Sequence, residues 1–275
     1  MSGRARRTLS QTGRYIVAIL ALVFFLFPIV WIFLTAFKTG DEFLHSPPVW
    51  LPHAPNFRSF AHIVRTGGLQ SLKNSFIISV CTTALSLAVG SLAGYGIARY
   101  RVGGSNLPFF ILSQRFMPPV AVIFPFLLLF KVLKWVDTYQ ALIIIYLTFN
   151  LPYAVWMMRG FFKEIPSVIE ESAMVDGCSP FGAYWRIALP LVKPGLVATG
   201  VFCFIFSWSE FFFAVCLTRS KAVTLPVHLA NYFGKYTVMW GHIGALSVLA
   251  MLPLFFLSFI VQRYLVRGLT LGAVK

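Results

Sequence analysis

Two charged side chains, Arg115 and Glu210, lie inside long apolar runs. A charge at the centre of a bilayer costs roughly 2.5–3.5 kcal/mol on insertion scales. A chain that keeps one there gives it a partner, a pathway to line or a route to the interface. Arg115 sits about two turns into its run, and two readings stay open: it lines a pathway, or it snorkels to the inner interface. Glu210 lies deeper, which suits a structural hydrogen-bond partner or a pathway residue. Pro118-Pro119 beside Arg115, and Asn150 with Pro152, interrupt their runs. Breaks of this kind near the midplane free backbone carbonyls that hold solutes, or they shape packing. Trp208 and Phe211 to Phe213 offer rings for stacking on a solute, or a face for lipid and neighbouring helices. The candidate pathway residues are Arg115, Asn150, Trp208, Ser209 and Glu210.

A second concentration of chemistry is polar. The stretch from Arg159 to Pro194 holds Glu164, Glu170, Glu171 and Asp176, four of the eight acidic residues in the chain. Ser167 followed by Glu170 has the spacing of a capping box, which starts a helix. That helix runs to about Asp176, and Gly177 suits the left-handed position after a helix end. Ser179 and Pro180 start a second short helix as N-cap and first helical residue. It reaches about Ala188 and stops at Leu189-Pro190.

Other chemistries lack their residues. Cys81, Cys203 and Cys216 lie in apolar runs and Cys178 in the polar stretch, without metal-ligand or disulfide spacing. The five histidines form no constellation. No GxSxG, HExxH or paired-carboxylate site occurs, and no GxxxxGK[ST] to cradle phosphates. The sequence therefore points to no catalytic residue, no metal and no cofactor bound by this chain.

The elements that must position these residues are set by composition. Charged residues make up 11 % and apolar residues 58 %, and mean hydropathy is +0.79. Soluble domains carry about 25 % charged residues, so the solvent here is lipid. The net charge of +15 is spread over short segments between apolar runs, where it sets topology and meets headgroups, and does not indicate nucleic acid. Six runs are long enough to span as helices: Tyr15–Phe37, Phe76–Ala98, Leu107–Leu133 broken at Pro118, Gln140–Met158, Gly195–Leu217 and His242–Leu265. The first is a retained span rather than a signal peptide, being too long and followed by no cleavage site. Arg4, Arg6, Arg7 and Arg14 precede it, which orients both termini inside. The fold class is an all-α integral membrane protein. Its parts are a basic N-terminus 1–14, a first span 15–37, an outer loop 38–73, a five-helix core 74–265 with the polar loop 159–194, and an inner tail 266–275.

Glu171-Ser172-Ala173, Gly177 and Ile187-Ala188-Leu189-Pro190 resemble the EAA loop of ABC importer permeases, E-A-A-x3-G-x9-I-x-L-P, with Ser in place of the second Ala. Asn74-Ser75 is similar to the start of the family core. Thr148 to Pro152, Arg159 to Phe162 and Trp208-Ser209-Glu210-Phe211 resemble the carbohydrate branch, where Asn is more usual at Ser209. The end from Arg263 to Lys275 resembles the tail of maltose-type permeases. The resemblance implies a coupling helix docked in a groove of a cytoplasmic ATPase, with Glu171 as the docking acid. It implies Ala173 and Gly177 as close-approach positions beside Ser172, and Asp176 as a loop-fixing residue. Glu170 is read as closing the capping box, within the same coupling set. The implied partners are a second homologous permease subunit in a heterodimer, two copies of the ATPase carrying ATP and Mg, a periplasmic solute-binding protein and lipid, in a bacterial inner membrane. The implied solute is a sugar or polyol. A non-carbohydrate solute and an ion-coupled carrier acting alone are the alternatives.

Overall fold

A computed structural model describes residues 3–234 and 238–271. The described residues contain no β-strand. Four helices are long and apolar enough to cross a membrane: α1 (Gly3–Thr35), α3 (Gly68–Tyr100), α6 (Tyr139–Glu164) and α13 (Trp240–Leu271). Between them lie α2 (Arg58–Arg65), α4 (Asn106–Ser113), α5 (Pro119–Val132), α7 (Ser167–Val175), α8 (Pro180–Ala183), α9 (Leu189–Leu191), α10 (Lys193–Trp208), α11 (Phe212–Leu217) and α12 (Leu225–Ala230). Two bent pairs bring the possible number of spans to six: Asn106–Phe116 with Pro119–Val132 at 87°, and Pro180–Leu191 with Lys193–Trp208 at 78°.

The breaks have local causes. Pro118 takes an extended conformation (φ −58°, ψ 127°) and Pro119 opens α5. A residue before proline is steered out of the helical region, and proline suits the first helical position. The expected run Gly195–Leu217 is not one helix. It stops at Trp208, and α11 begins only after Ser209-Glu210-Phe211. The expected stop at Leu189-Pro190 also does not occur. Tyr184–Ala188 form a π turn in which the Leu189 N–H reaches back five residues to the Tyr184 carbonyl. The wider turn lets Pro190 enter the helical path despite its missing donor. Residues 272–275, the end of the tail resemblance, lie outside the described residues.

The chain forms two compact units. The first contains α1, α2 and the beginning of α13. Much of α1 is exposed, Phe24 at 74 %, as a helix facing lipid must be. Its end is held: an added Cβ on Gly244 would lie 2.8 Å from the Ala36 backbone nitrogen. The outer loop packs on itself. Trp50 meets Trp31 edge to face at 5.5 Å, Lys38 lies 3.8 Å over the Trp31 ring, and Glu42 accepts the backbone N–H groups of Thr39 and His53. Those N–H groups, Thr39 first, hold the Glu42 carboxyl down at about 2.

The second unit contains most of α3, everything from α4 to α11, most of α12 and the remainder of α13. Gly90 and Gly94, one turn apart on α3, let it approach the backbone of α6. An added Cβ at Gly90 would lie 2.7 Å from Ala154 Cβ, and at Gly94 2.8 Å from the Arg159 nitrogen. In lipid such small-residue contacts, rather than a hydrophobic drive, bring helices together. One end of the unit is knotted by polar groups. Asn74 donates to the carbonyls of Lys221 and Val223 and accepts the Tyr139 hydroxyl at 2.6 Å, while Ser75 accepts the Leu225 N–H. Beside them Asp137 accepts the backbone N–H groups of Arg219, Ser220, Lys221 and Ala222. Burial alone would raise the Asp137 carboxyl. The four N–H groups outweigh it and hold it at about 2, against an ordinary 3.8.

Two predictions follow from this packing. Gly94→Ala should destabilise by roughly 1–3 kcal/mol, because the atoms in its way are backbone. Gly96→Ala, with nothing within 4 Å, should be neutral or stabilising by up to about 1 kcal/mol; thermal unfolding in mild detergent compares the two. For Asp137 the folded value lies below the unfolded one. Its contribution is complete above the unfolded value and fades as pH falls toward about 2. Asp137→Ala should lower the unfolding temperature at pH 7 by roughly 2–4 °C, after allowing for a partly solvated carboxylate. The gap to wild type should close as pH falls through that window.

Candidate functional site

The acidic hairpin is built from the end of α6 through α7, α8 and the π turn. The N-cap of α7 is Pro166, and no side-chain cap is made. The expected capping box between Ser167 and Glu170 does not form, because stronger donors claim the Glu170 carboxylate. Arg99, near the end of α3, donates from Nη2 to Oε1 at 2.6 Å and from Nε to both oxygens at 2.9 and 3.0 Å. The Tyr95 hydroxyl donates to Oε2 at 2.7 Å. Arg99 Nη2 also donates to the Ile165 carbonyl at 3.0 Å. The side chains of Glu170 and Arg99 are 2 % and 12 % exposed. A planar guanidinium on a carboxylate, with charge on both sides, outcompetes the neutral backbone N–H groups of a helix start.

The other residues of the loop face outward. Glu171, Ser172 and Asp176 are exposed and Ala173 is half-buried. Ser172 spends its hydroxyl on the Val168 carbonyl at 2.8 Å. Gly177 has φ +90°, the left-handed conformation glycine adopts without strain. Its N–H reaches the Met174 carbonyl and the Cys178 N–H reaches the Ala173 carbonyl, which together make a Schellman closure. Ser179 then caps α8 through the Gly182 N–H at 3.1 Å, with Pro180 first in the helix. Behind the hairpin Tyr95, Met158, Phe162, Tyr184, Ala188 and Val192 form a buried cluster, in which the hydroxyls of Tyr184 and Ser91 lie 2.8 Å apart.

The second feature is a cavity of about 750 Å³ among the 3-10 turn Gln114–Phe116, α5, α6, α10 and the break before α11. Arg115, Ser209 and Glu210 all line it, with Thr148, Pro152 and Phe206. Arg115 is gripped by aromatic faces, 4.2 Å from the Phe206 centroid and 4.9 Å from that of Tyr153, a favourable seat for a guanidinium away from water. It makes no ion pair with Glu210 among the described residues. Glu210 instead accepts the N–H groups of Phe213 and Ala214 at 2.8 and 3.2 Å, and so caps α11. The Ser209 hydroxyl turns back to the Ile205 carbonyl. Asn150 and Trp208 are not on the lining. Asn150 is fully buried and donates to the Tyr146 carbonyl and to Ser207 Oγ, joining α6 to α10. Trp208 is buried and stacked on Phe204.

Tyr95, Arg99, Tyr153 and Phe206 were not singled out in the sequence. The first pair carries a signal, since Tyr95 and Arg99 stand four residues apart and share a helix face. The second pair carries none, because α6 and α10 meet only in three dimensions.

Residues 86–271 match the model of the binding-protein-dependent transport system inner membrane component family. The chain belongs to this family. It is thus a multi-pass membrane component of a transport system. Its relatives include the probable ABC transporter permease protein y4oR of Sinorhizobium fredii, 40 % identical over 94 % of this chain and 92 % of the relative. Another is the trehalose/maltose transport system permease protein MalG of Thermococcus litoralis, 34 % identical over 94 % of each. Among solved structures, a chain of a bacterial ABC transporter involved in the import of the acidic polysaccharide alginate superposes with a TM-score of 0.78. That match covers 96 % of this chain and 99 % of the other at 23 % identity, a likeness of fold.

The ion pair yields a prediction for this permease. Glu170→Leu leaves Arg99 buried without its partner and should cost roughly 3–5 kcal/mol. Adding Arg99→Met should recover most of that loss, since an apolar pair needs no compensation. Thermal unfolding of the two single variants and the double variant closes the cycle.

Proposed function

We propose that this chain is one permease subunit of an ATP-driven importer in a bacterial inner membrane. It forms half of a transmembrane pathway for a sugar or polyol delivered by a periplasmic binding protein. The observation that carries the reading is the hairpin of α7 and α8. It has the EAA spacing, is closed at its turn by the hydrogen bonds of Gly177, Cys178 and Ser179, and presents Glu171, Ser172 and Asp176 outward. An element that transmits force has to be stiff, and this one is.

In this reading α7 is the coupling helix. Glu171 meets a basic or polar group in the groove of an ATPase subunit. Ala173 and Gly177 allow close approach, Asp176 holds the turn, and Glu170 fixes the helix from beneath. The chain has no phosphate loop, so ATP and Mg belong to the ATPase, present in two copies. A second homologous permease completes the pathway as a heterodimer. Six spans with both termini inside accommodate the arrangement: the knot of Asn74, Tyr139 and Lys221 lies outside, and the Arg99–Glu170 pair inside. The basic residues before the first span support that orientation.

The cavity lined by Arg115, Ser209 and Glu210 is the proposed stretch of solute pathway. Asn150 and Trp208 set the packing of the helices whose other faces line it. A carbohydrate solute is supported by the relative named for trehalose/maltose and by the resemblance of the fifth-span motif and the tail.

The test is to tag the chain at its N-terminus, extract it in mild detergent from its native membrane, and identify what stays bound. A P-loop ATPase and a second multi-span subunit support the reading. Recovery alone, or as a homo-oligomer, would sink it in favour of a carrier acting by itself. Within the complex, Glu171→Lys should release the ATPase or lower it severalfold while insertion stays normal. Gly177→Val should do the same through the strained turn, since a β-branched residue resists φ +90°.

A further inference from the structure

The end of α3 presents one face to the whole hairpin. Ser91, Tyr95 and Arg99 stand at intervals of four, so they line up along the helix. Ser91 is within 2.8 Å of the Tyr184 hydroxyl in the π turn. Tyr95 and Arg99 hold the Glu170 carboxylate of α7. Arg99 also holds the Ile165 carbonyl, the last link of chain before α7. Gly90 and Gly94 set a neighbouring face against the backbone of α6. Thus α7 is attached to α6 and α8 by chain continuity, and to α3 by side chains alone. The side-chain attachment is ionic, bidentate and almost closed to water, and three rings of the surrounding cluster (Tyr95, Phe162 and Tyr184) pack against one another around it.

We propose that Arg99 and Tyr95 moor the coupling helix to α3 through Glu170, so that α7 and the adjoining turns of α3 move as one body when the ATPase opens and closes. The inference rests on reading α7 as the coupling helix and goes beyond it by naming the span that receives the movement. Arg99 and Tyr95 are positioning residues: neither reaches the ATPase surface of α7, and both act through Glu170. Without the ion pair the start of α7 would lose its charged hold on α3 and could tilt between Ile165 and Gly177, passing on part of the stroke. A hairpin held at α6 and α3 cannot pivot without breaking a buried ion pair.

The experiment uses the assembled complex in nanodiscs, with the four native cysteines of this chain replaced and nitroxide labels at Val102→Cys and Val175→Cys. Both sites are exposed and neither belongs to the mooring. Electron–electron distances are recorded without nucleotide and with ATP plus vanadate, after checking that the ATPase still co-purifies. In the unmutated mooring the expected result is one distance that stays put between the two states. In Arg99→Met and in Glu170→Gln a second distance should appear in one state. ATP hydrolysis should also lose its dependence on the binding protein, while Tyr95→Phe, which keeps the ion pair, retains most of it. A distance that shifts with nucleotide when the mooring is intact would overturn the proposal, and that arm needs no mooring variant to fold. Variants that lose coupling yet keep the single distance would overturn it as well. Failure of the ATPase to co-purify with the unmutated chain would count against the coupling-helix reading itself.

Discussion

A backbone surrounded by hydrocarbon has to find its hydrogen bonds within the protein, and this chain interrupts its helices repeatedly inside apolar stretches. Each interruption is matched by a specific repair. At Pro190 the π turn sends the Leu189 N–H to Tyr184 instead of leaving the path to end. At Ser209 to Phe211 the carboxylate of Glu210 receives the N–H groups at the start of α11, while the Ser209 hydroxyl answers a carbonyl at the end of α10. At Pro118-Pro119 the second proline lacks the donor that a first helical residue would leave unpaired. The 87° bend is therefore tolerable in lipid, and with the break at Ser209 to Phe211 it makes room for the cavity.

The polar side chains divide the second unit into two ends with different energetics. At the Asn74 end the bonds join loops through neutral amides and a partly solvated Asp137, so each is worth on the order of 1 kcal/mol and the set can yield piecemeal. At the Glu170 end the bonds concentrate on one buried ion pair. Its net contribution to stability is small beside an apolar pair, because desolvation offsets attraction. Its consequence is rigidity, since any partial opening leaves a bare charge out of water.

Much of the architecture was legible in the sequence because it follows from local rules. The apolar runs placed α1, α3, α6 and α13 by length and composition. Gly177 and Ser179 marked the turn and the second N-cap because a left-handed residue and a side-chain oxygen are needed at those points and few residue types supply them. The misreadings share a cause. Ser167 and Glu170 have the spacing of a reciprocal cap, but Arg99 lies 71 residues earlier in the chain, and no local pattern reports that a guanidinium will arrive. The run Gly195–Leu217 looks continuous in hydropathy because the break at Ser209 to Phe211 is made of residues that a span also contains. Arg115 and Glu210 stood out by charge, yet what each touches depends on helices far off in sequence. Tyr153 and Phe206 were two rings among many until folding placed a guanidinium on them.

Glu170 and Glu171 show how one helix separates two tasks. Adjacent positions on a helix point about 100° apart, so when one carboxylate faces inward its neighbour is carried well away from it. Here the inward acid is consumed: its oxygens take the donors of Arg99 and Tyr95, and none is left for a partner. The outward acid keeps its acceptors in solvent. Any rotation of α7 that carries Glu170 away from Arg99 breaks a buried ion pair, at a cost of several kcal/mol. The ion pair therefore fixes the rotation of α7 as well as its attachment, and with it the face turned to solvent. A pair of identical neighbouring acids becomes in the fold one buried anchor and one exposed carboxylate.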